Sequence, residues 1–269
     1  MDSEIERFLK EDIADGDITS DLFINTNETS NAEIICRESG ILSGKNELTQ
    51  IFNHFMIESD WLYKDGDEIL KDSSVVTLKG FSKSLLLSER VSLNLLGHMS
   101  GIATATRNAV DIVKNINKYT NISATRKTLP GLRKFEKYSV TVGGGLPHRN
   151  NLQEMILIKD NHLRGDHSII EIVKNAIKNK KNKKITVEID NYNQLKQIIG
   201  LKFDRVLLDN MNPKVLKKCV KISKKYYETE ASGGVNFKNV KKIANTGVNR
   251  ISIGEITHSV NALDIKLEI

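Results

Sequence analysis

The chain has 269 residues, 39% of them hydrophobic and 28% charged, with a formal net charge of +6 at pH 7. That length can bury a large core without disulfide staples, and 17 glycines with only 3 prolines exclude collagen-like and low-complexity classes. No window approaches the ~20 apolar residues of a membrane span. The opening Met-Asp-Ser-Glu-Ile-Glu is acidic and lacks an apolar stretch, so no secretory signal is predicted. Cys36 and Cys219 are too few for a disulfide framework or a zinc site and read as reduced core thiols of a cytoplasmic protein.

In chain order, Ile5, Phe8, Leu9 and Ile13 keep a helical spacing that stops in Asp15-Gly16-Asp17. Residues 31–39 and 61–80 read as strands, the second turning at Asp65-Gly66-Asp67. Between them Leu48, Ile51, Phe52, Phe55 and Met56 mark an amphipathic helix, and a leucine-rich helix is predicted over 84–97. From about residue 120 the rhythm becomes strand, helix, strand, helix. Strands are predicted at 122–126, 155–159, 185–190, 205–209, 228–231 and 250–253, with helices at 131–142, 167–179, 192–199, 212–226 and 236–246. Regular βα alternation implies a parallel sheet covered by helices. Six or seven units without an obvious central crossover favour a closed barrel over an open sheet. Residues 263–269 alternate like a half-buried strand and return to the first domain in this reading. The domains are therefore drawn at 1–101 and 102–259, with 260–269 added to the first.

Much of the positive charge lies between Lys174 and Lys184. No aromatic is interleaved there, and lysines suit a helix C-terminus, so the run reads as a solvated helix end and not as a nucleic-acid contact. In a βα barrel, functional side chains gather at the C-terminal ends of the strands. Those ends carry Thr125-Arg126-Lys127, Lys159-Asp160-Asn161-His162, Glu188, Asp209, Glu230 with Ser232-Gly233-Gly234, and Ser252-Ile253-Gly254. Arg126, Lys127, Arg149 and Lys159, with His148 nearby, form a cationic group that needs an anion, carboxylate or phosphate. Glu188 and Asp209 suit a magnesium ion or sugar hydroxyls. The two glycine turns on the last strands match the barrel phosphate site.

These residues carry a resemblance. Thr125 to Arg133 with Glu136-Lys137-Tyr138, Gly143 to Arg149, Ile158 to His162, Val187-Glu188, Leu207 to Met211, Glu230 to Gly234 and Ser252 to Gly254 together resemble the quinolinate phosphoribosyltransferases. So do Glu11 to Thr19 and Ser88 to Asn94 in the first part. The resemblance implies an α/β fold: an N-terminal α/β sandwich followed by an atypical, TIM-like, seven-stranded α/β barrel. It implies transfer of phosphoribosyl from phosphoribosyl pyrophosphate (PRPP) to quinolinate with decarboxylation, in NAD biosynthesis, with Mg2+ as cofactor. It also implies a homodimer with shared sites, and neither nucleic acid nor membrane as partner. Carried over by motif, Arg90, Arg126, His148, Arg149 and Lys159 would hold quinolinate, Arg90 being supplied by the partner copy. Lys127, Lys159, Glu188, Asp209, Ser232, Gly233, Gly234, Ser252 and Gly254 would hold PRPP. Lys127, Lys159, Glu188 and Asp209 would be catalytic, the two acids also holding the metal. Two departures are Pro147, where many members have asparagine, and Thr186, where many have a second acid. The alternatives are a nicotinate phosphoribosyltransferase of related fold, a related molybdenum-transport-associated protein and, from another class, a basic nucleic-acid-binding protein. The four-cation set favours a dicarboxylate over the first, Lys159-Asp160-Asn161-His162 fits the quinolinate enzymes better than the second, and the paired acids argue against the third.

Overall fold

Asp2 caps the first helix of the chain, its carboxylate accepting the Glu4 N–H at 3.1 Å. That helix, α1 (Ser3–Ile13), buries Ile5 and Leu9 one turn apart. These and all later coordinates come from a computed structural model, which describes residues 1–162 and 168–269. A short helix α2 (Ile18–Phe23), capped by Asp17, follows the Asp-Gly-Asp turn. It escapes a periodicity reading because Ile18, Leu22 and Phe23 are all exposed. Next come β1 (Thr29–Cys36), β2 (Gly40–Ile41), α3 (Lys45–His54), β3 (Glu58–Trp61), β4 (Glu68–Ile69) and β5 (Ser74–Phe81). The helix expected over 84–97 is the first part of the 33-residue α4 (Ser82–Lys114).

The remaining elements are β6 (Asn121–Ser123), α5 (Arg133–Val142), β7 (Met155–Ile158), α6 (Ile169–Asn179), β8 (Lys184–Ile189), α7 (Tyr192–Ile198), β9 (Arg205–Asp209), α8 (Pro213–Ser223), β10 (Glu228–Ser232), α9 (Val240–Ala244), β11 (Arg250–Ser252), α10 (Glu255–His258) and β12 (Ile265–Glu268). Ser168 and Glu171 close a capping box at the start of α6. The expected first position of that helix, residue 167, lies outside the described residues.

The chain forms two compact units. The first comprises Met1–Arg107, Pro130–Gly143 and Val260–Ile269. Its main sheet has the order β12-β1-β5-β3, antiparallel throughout. One face of β1 and β5 buries Ile34, Cys36, Val76 and Leu78 with Phe52 and Leu96, while Thr77 and Lys79 point to solvent. The boundary drawn at 101/102 differs from that of the compact units, which falls at Arg107, within α4. The helix predicted at 131–142, read as a barrel helix, is α5, and it belongs to the first unit. There Phe135 meets the Phe8 ring at 5.8 Å and Ser139 accepts a bond from the Ser43 hydroxyl at 3.1 Å.

The second unit comprises Asn108–Leu129 and Gly144–Ser259. Six parallel strands take the order β6-β11-β10-β9-β8-β7. A seventh position is the single parallel bridge between Ser123 and Leu146, on the free side of β6. The expected seven strands are thus six in ladders and one reduced to a bridge. Their apolar residues, among them Ile122, Ile158, Val187, Val206, Leu208 and Ile251, are buried, as a sheet covered on both faces requires.

Candidate active site

Register lines up the C-terminal ends of the parallel strands. Asp209 of β9 pairs with Ser232 of β10, and Ser252 of β11 pairs with Ser123 of β6. These ends surround a cleft of ≈330 Å³ lined wholly by the second unit. Arg126, Lys127, His148, Arg149, Lys159, Glu188, Ser232, Gly233, Gly234, Ser252 and Gly254, all expected from the sequence, line it. Asp209 stands at its edge, hydrogen-bonded to the Ser232 side chain. Arg90 is exposed on α4 of the first unit, 3.4 Å from Glu89.

Each side chain is placed by its strand or the turn after it. Beyond β6, the Lys127 N–H donates to the Thr125 hydroxyl at 3.0 Å, and the Thr257 hydroxyl donates to the Lys127 carbonyl at 2.7 Å. Beyond β7, the Lys159 N–H donates to His162 Nδ1 at 3.0 Å. Lys159 Nζ lies 3.5 Å from Glu188 Oε2. After β10, Gly233 has φ +84°, and a Cβ there would stand 2.3 Å from Asn210 Oδ1 and 2.6 Å from Asn210 N. Only glycine fits so close a backbone approach, which leaves main chain, not side chain, at that edge of the cleft.

The charges of the cleft are held against solvation. Burial raises the Glu188 carboxyl above its usual range, against the pull of Lys159. Burial likewise raises Asp209, which feels Ser232, Asp190, Lys159 and Lys127. The Arg149 guanidinium is lowered, first by burial and then by the neighbouring charge of Arg126. Acids pulled upward and a guanidinium pulled downward show that burial disfavours the charged form of all three groups.

His148, expected to contact ligand, has φ +54° and a largely buried ring. Its Nδ1 accepts the Arg149 N–H at 2.8 Å, and its Nε2 lies 3.2 Å from Glu230 Oε1. In the sequence Glu230 is a strand-end residue with no sign of a role, and the fold joins it to His148. Its carboxylate also accepts from the Ser252 hydroxyl at 2.6 Å and from Arg205 Nη1 at 3.0 Å. Glu255 and His258 line the cleft too. Their signal was position alone, directly after the glycine turn of β11.

Similarity to known proteins extends over nearly the whole chain. Residues 17–100 match the family model of the quinolinate phosphoribosyl transferase N-terminal domain, and residues 102–268 that of its C-terminal domain. A probable nicotinate-nucleotide pyrophosphorylase [carboxylating] of Bacillus subtilis is 38% identical over 98% of this chain and 92% of its own. The structure of the nicotinate-nucleotide pyrophosphorylase of Ehrlichia chaffeensis superposes with a TM-score of 0.93 at 41% identity, over 98% of this chain and 96% of that one. The enzyme of the same name from Francisella tularensis gives a TM-score of 0.93 at 36% identity, over 98% and 94%.

Proposed function

The chain belongs to the quinolinate phosphoribosyl transferase family, and from that premise we propose that it joins quinolinate to PRPP, releasing pyrophosphate and carbon dioxide and leaving nicotinate mononucleotide for NAD biosynthesis. The observation that carries this reading is one cleft holding three different sets of groups. Cations suited to two carboxylates, the acid Glu188 and a glycine turn line the same ≈330 Å³, and Asp209 is bonded to Ser232 at its edge.

Arg126, Arg149 and Lys159 receive the two carboxylates, arginine offering the planar fork they fit. The main chain at Gly233 and Gly234, with Ser232, Ser252 and Gly254, holds the 5′-phosphate. Lys127 and Lys159 meet the pyrophosphate. Glu188 and Asp209 face the ribose, where their charge stabilises the oxocarbenium-like sugar as the pyridine nitrogen bonds to the anomeric carbon and pyrophosphate departs. The adjacent carboxylate then leaves as carbon dioxide, the electron pair of the broken bond stays on the ring carbon, where the positive nitrogen beside it stabilises the charge, and that carbon takes up a proton. The protein's main work is to hold two mutually repelling anions in line.

The two acids also fit a magnesium ion. Among the described residues no group of three or more His, Cys, Asp or Glu is poised for a metal. Two carboxylates match an ion that takes most of its ligands from water and substrate phosphates. When bound, such an ion neutralises charge on the leaving pyrophosphate. Two buried free cysteines support a cytoplasmic setting, and among the described residues no helix is long and apolar enough to cross a membrane.

A homodimer supplies Arg90. The first unit has 14 lysines and arginines against 22 aspartates and glutamates, net −8, while the second has 26 against 12, net +14. Opposite fields of this size favour a first unit of one copy covering the second unit of another.

The test is purified protein with PRPP, magnesium and either quinolinate or nicotinate. Nicotinate mononucleotide should form from quinolinate with release of carbon dioxide. A guanidinium left unfilled by the monocarboxylate costs about 1–3 kcal/mol, so kcat/KM for nicotinate should be roughly 5- to 150-fold lower. Equal use of both acids would overturn the substrate assignment, and no product from either would overturn the reaction.

A further inference from the structure

A chain of charges runs from the starts of three parallel strands, where Arg250 and Glu228 are partly exposed, to the buried carboxylate of Glu230 beside the cleft. Arg250 Nε donates to Glu228 Oε1 at 2.5 Å, and Arg205 Nη2 lies 2.9 Å from Glu228 Oε2. Arg205 Nη1 donates to Glu230 Oε2 at 3.0 Å. The other Glu230 oxygen receives the Ser252 hydroxyl at 2.6 Å and faces His148 Nε2 at 3.2 Å. The Glu230 side chain is 1% exposed. Burial alone would raise its carboxyl, but the hydrogen bond from His148, the guanidinium of Arg205 and the Ser252 hydroxyl hold it below its usual range. Glu230 is therefore an ionised, acceptor-only group.

The two nitrogens of His148 have fixed jobs. Nε2 faces a carboxylate and must carry a proton to donate. Nδ1 faces the Arg149 N–H at 2.8 Å and must be bare to accept. An imidazolium would put a proton against that amide, and the opposite tautomer would leave two donors facing at one nitrogen and two acceptors at the other. Both nitrogens are thus used within the protein.

We propose that Glu230 is a positioning residue: it fixes the neutral Nε2–H tautomer of His148, and through that ring it sets the backbone of Arg149, whose guanidinium enters the cleft. The role of His148 is then to orient, and not to add a further cation to a cleft where burial and Arg126 already press on Arg149. The left-handed backbone at His148 is held by the same two bonds. Asparagine also tolerates that conformation, and its side-chain oxygen can take the place of Nδ1 as acceptor. This inference rests on the reading of Arg149 as a carboxylate ligand.

The test has two arms. In the ligand-free protein labelled with ¹⁵N-histidine, His148 should show a bare Nδ1 and a protonated Nε2. In Glu230→Gln, Arg205 should keep the amide oxygen, turn the amide nitrogen toward the ring and shift the proton to Nδ1. A cationic ring, a protonated Nδ1 in the native protein, or an unchanged spectrum in Glu230→Gln would overturn the proposal. In kinetics, His148→Leu should raise the quinolinate KM ~10-fold, the equivalent of about 1.4 kcal/mol, with the PRPP KM little changed. His148→Asn should restore most of the quinolinate KM. Asparagine as damaging as leucine would overturn the positioning role. The spectra need no substrate, so an enzyme inactive on quinolinate would refute the proposed reaction while the tautomer is still decided.

Discussion

Glu188 and Asp209 carry charge where the protein resists it, since burial raises both carboxyls above their usual range. A carboxyl whose folded value is raised contributes stability while protonated, below its unfolded value, and loses that contribution as pH rises through the folded value. Near neutrality the ionised pair therefore works against folding. Glu188→Gln and Asp209→Asn should each raise the Tm at pH 7 while weakening PRPP binding, measured by thermal denaturation and calorimetry on the same samples. A lower Tm in both would mean that Lys159 beside Glu188, and the Ser232 hydrogen bond to Asp209, outweigh burial. Glu230 has the opposite sign. Held below the usual range, it contributes stability above its unfolded value and loses it as pH falls through the lowered folded value. The two acids at the cleft were legible because strand ends and their order place them there. The role of Glu230 was not, because it depends on His148 and Arg205, which lie far away in sequence and meet it only through the fold.

Helix α4 runs through two glycines that the sequence alone marks as its end. Gly97 and Gly101 look like helix breakers in a single sequence. In the fold they are places of close approach: a Cβ at Gly97 would lie 2.9 Å from the Leu263 carbonyl oxygen, and one at Gly101 would lie 2.2 Å from that of Asn261. The Leu263 N–H donates to the Gly97 carbonyl at 2.9 Å. The glycines thus seat the returning C-terminal segment on α4, just before β12 pairs with β1. On propensity alone Gly101→Ala would stabilise a helix by about 1 kcal/mol. We expect a lower Tm instead, because the methyl group collides with backbone that cannot rotate away. Hydrogen exchange should quicken in β12 and along its edge of β1. A Tm equal to or above that of the native protein would show that the close approach carries no such constraint. The same limit explains α5. Its helical period is plain in the sequence, but periodicity says nothing about which core an apolar face joins, and Phe135 joins that of the first unit.

At the scale of the whole molecule, the net +6 of the chain conceals an acidic unit of net −8 and a basic unit of net +14. The sum, read alone, suggests a weakly basic protein with acidic partners. Its division suggests that the acidic partner is a second copy. Arg90 sharpens this: it lies on the acidic unit, exposed and beside Glu89, where a second copy can take it up. In a two-fold dimer with shared sites, a copy carrying Arg90→Ala and a copy carrying Lys159→Ala form one site with both defects and one with none. Each variant alone should be nearly inactive. Mixed in equal amounts under conditions that exchange subunits, they should recover about a quarter of the native activity, since half the dimers are mixed and each has one intact site of two. Exchange itself should quicken with salt if the opposed charges hold the copies together. Mixed dimers demonstrated by native mass spectrometry, but without recovered activity, would place Arg90 outside the site and leave the charge division to be explained by something other than a shared cleft.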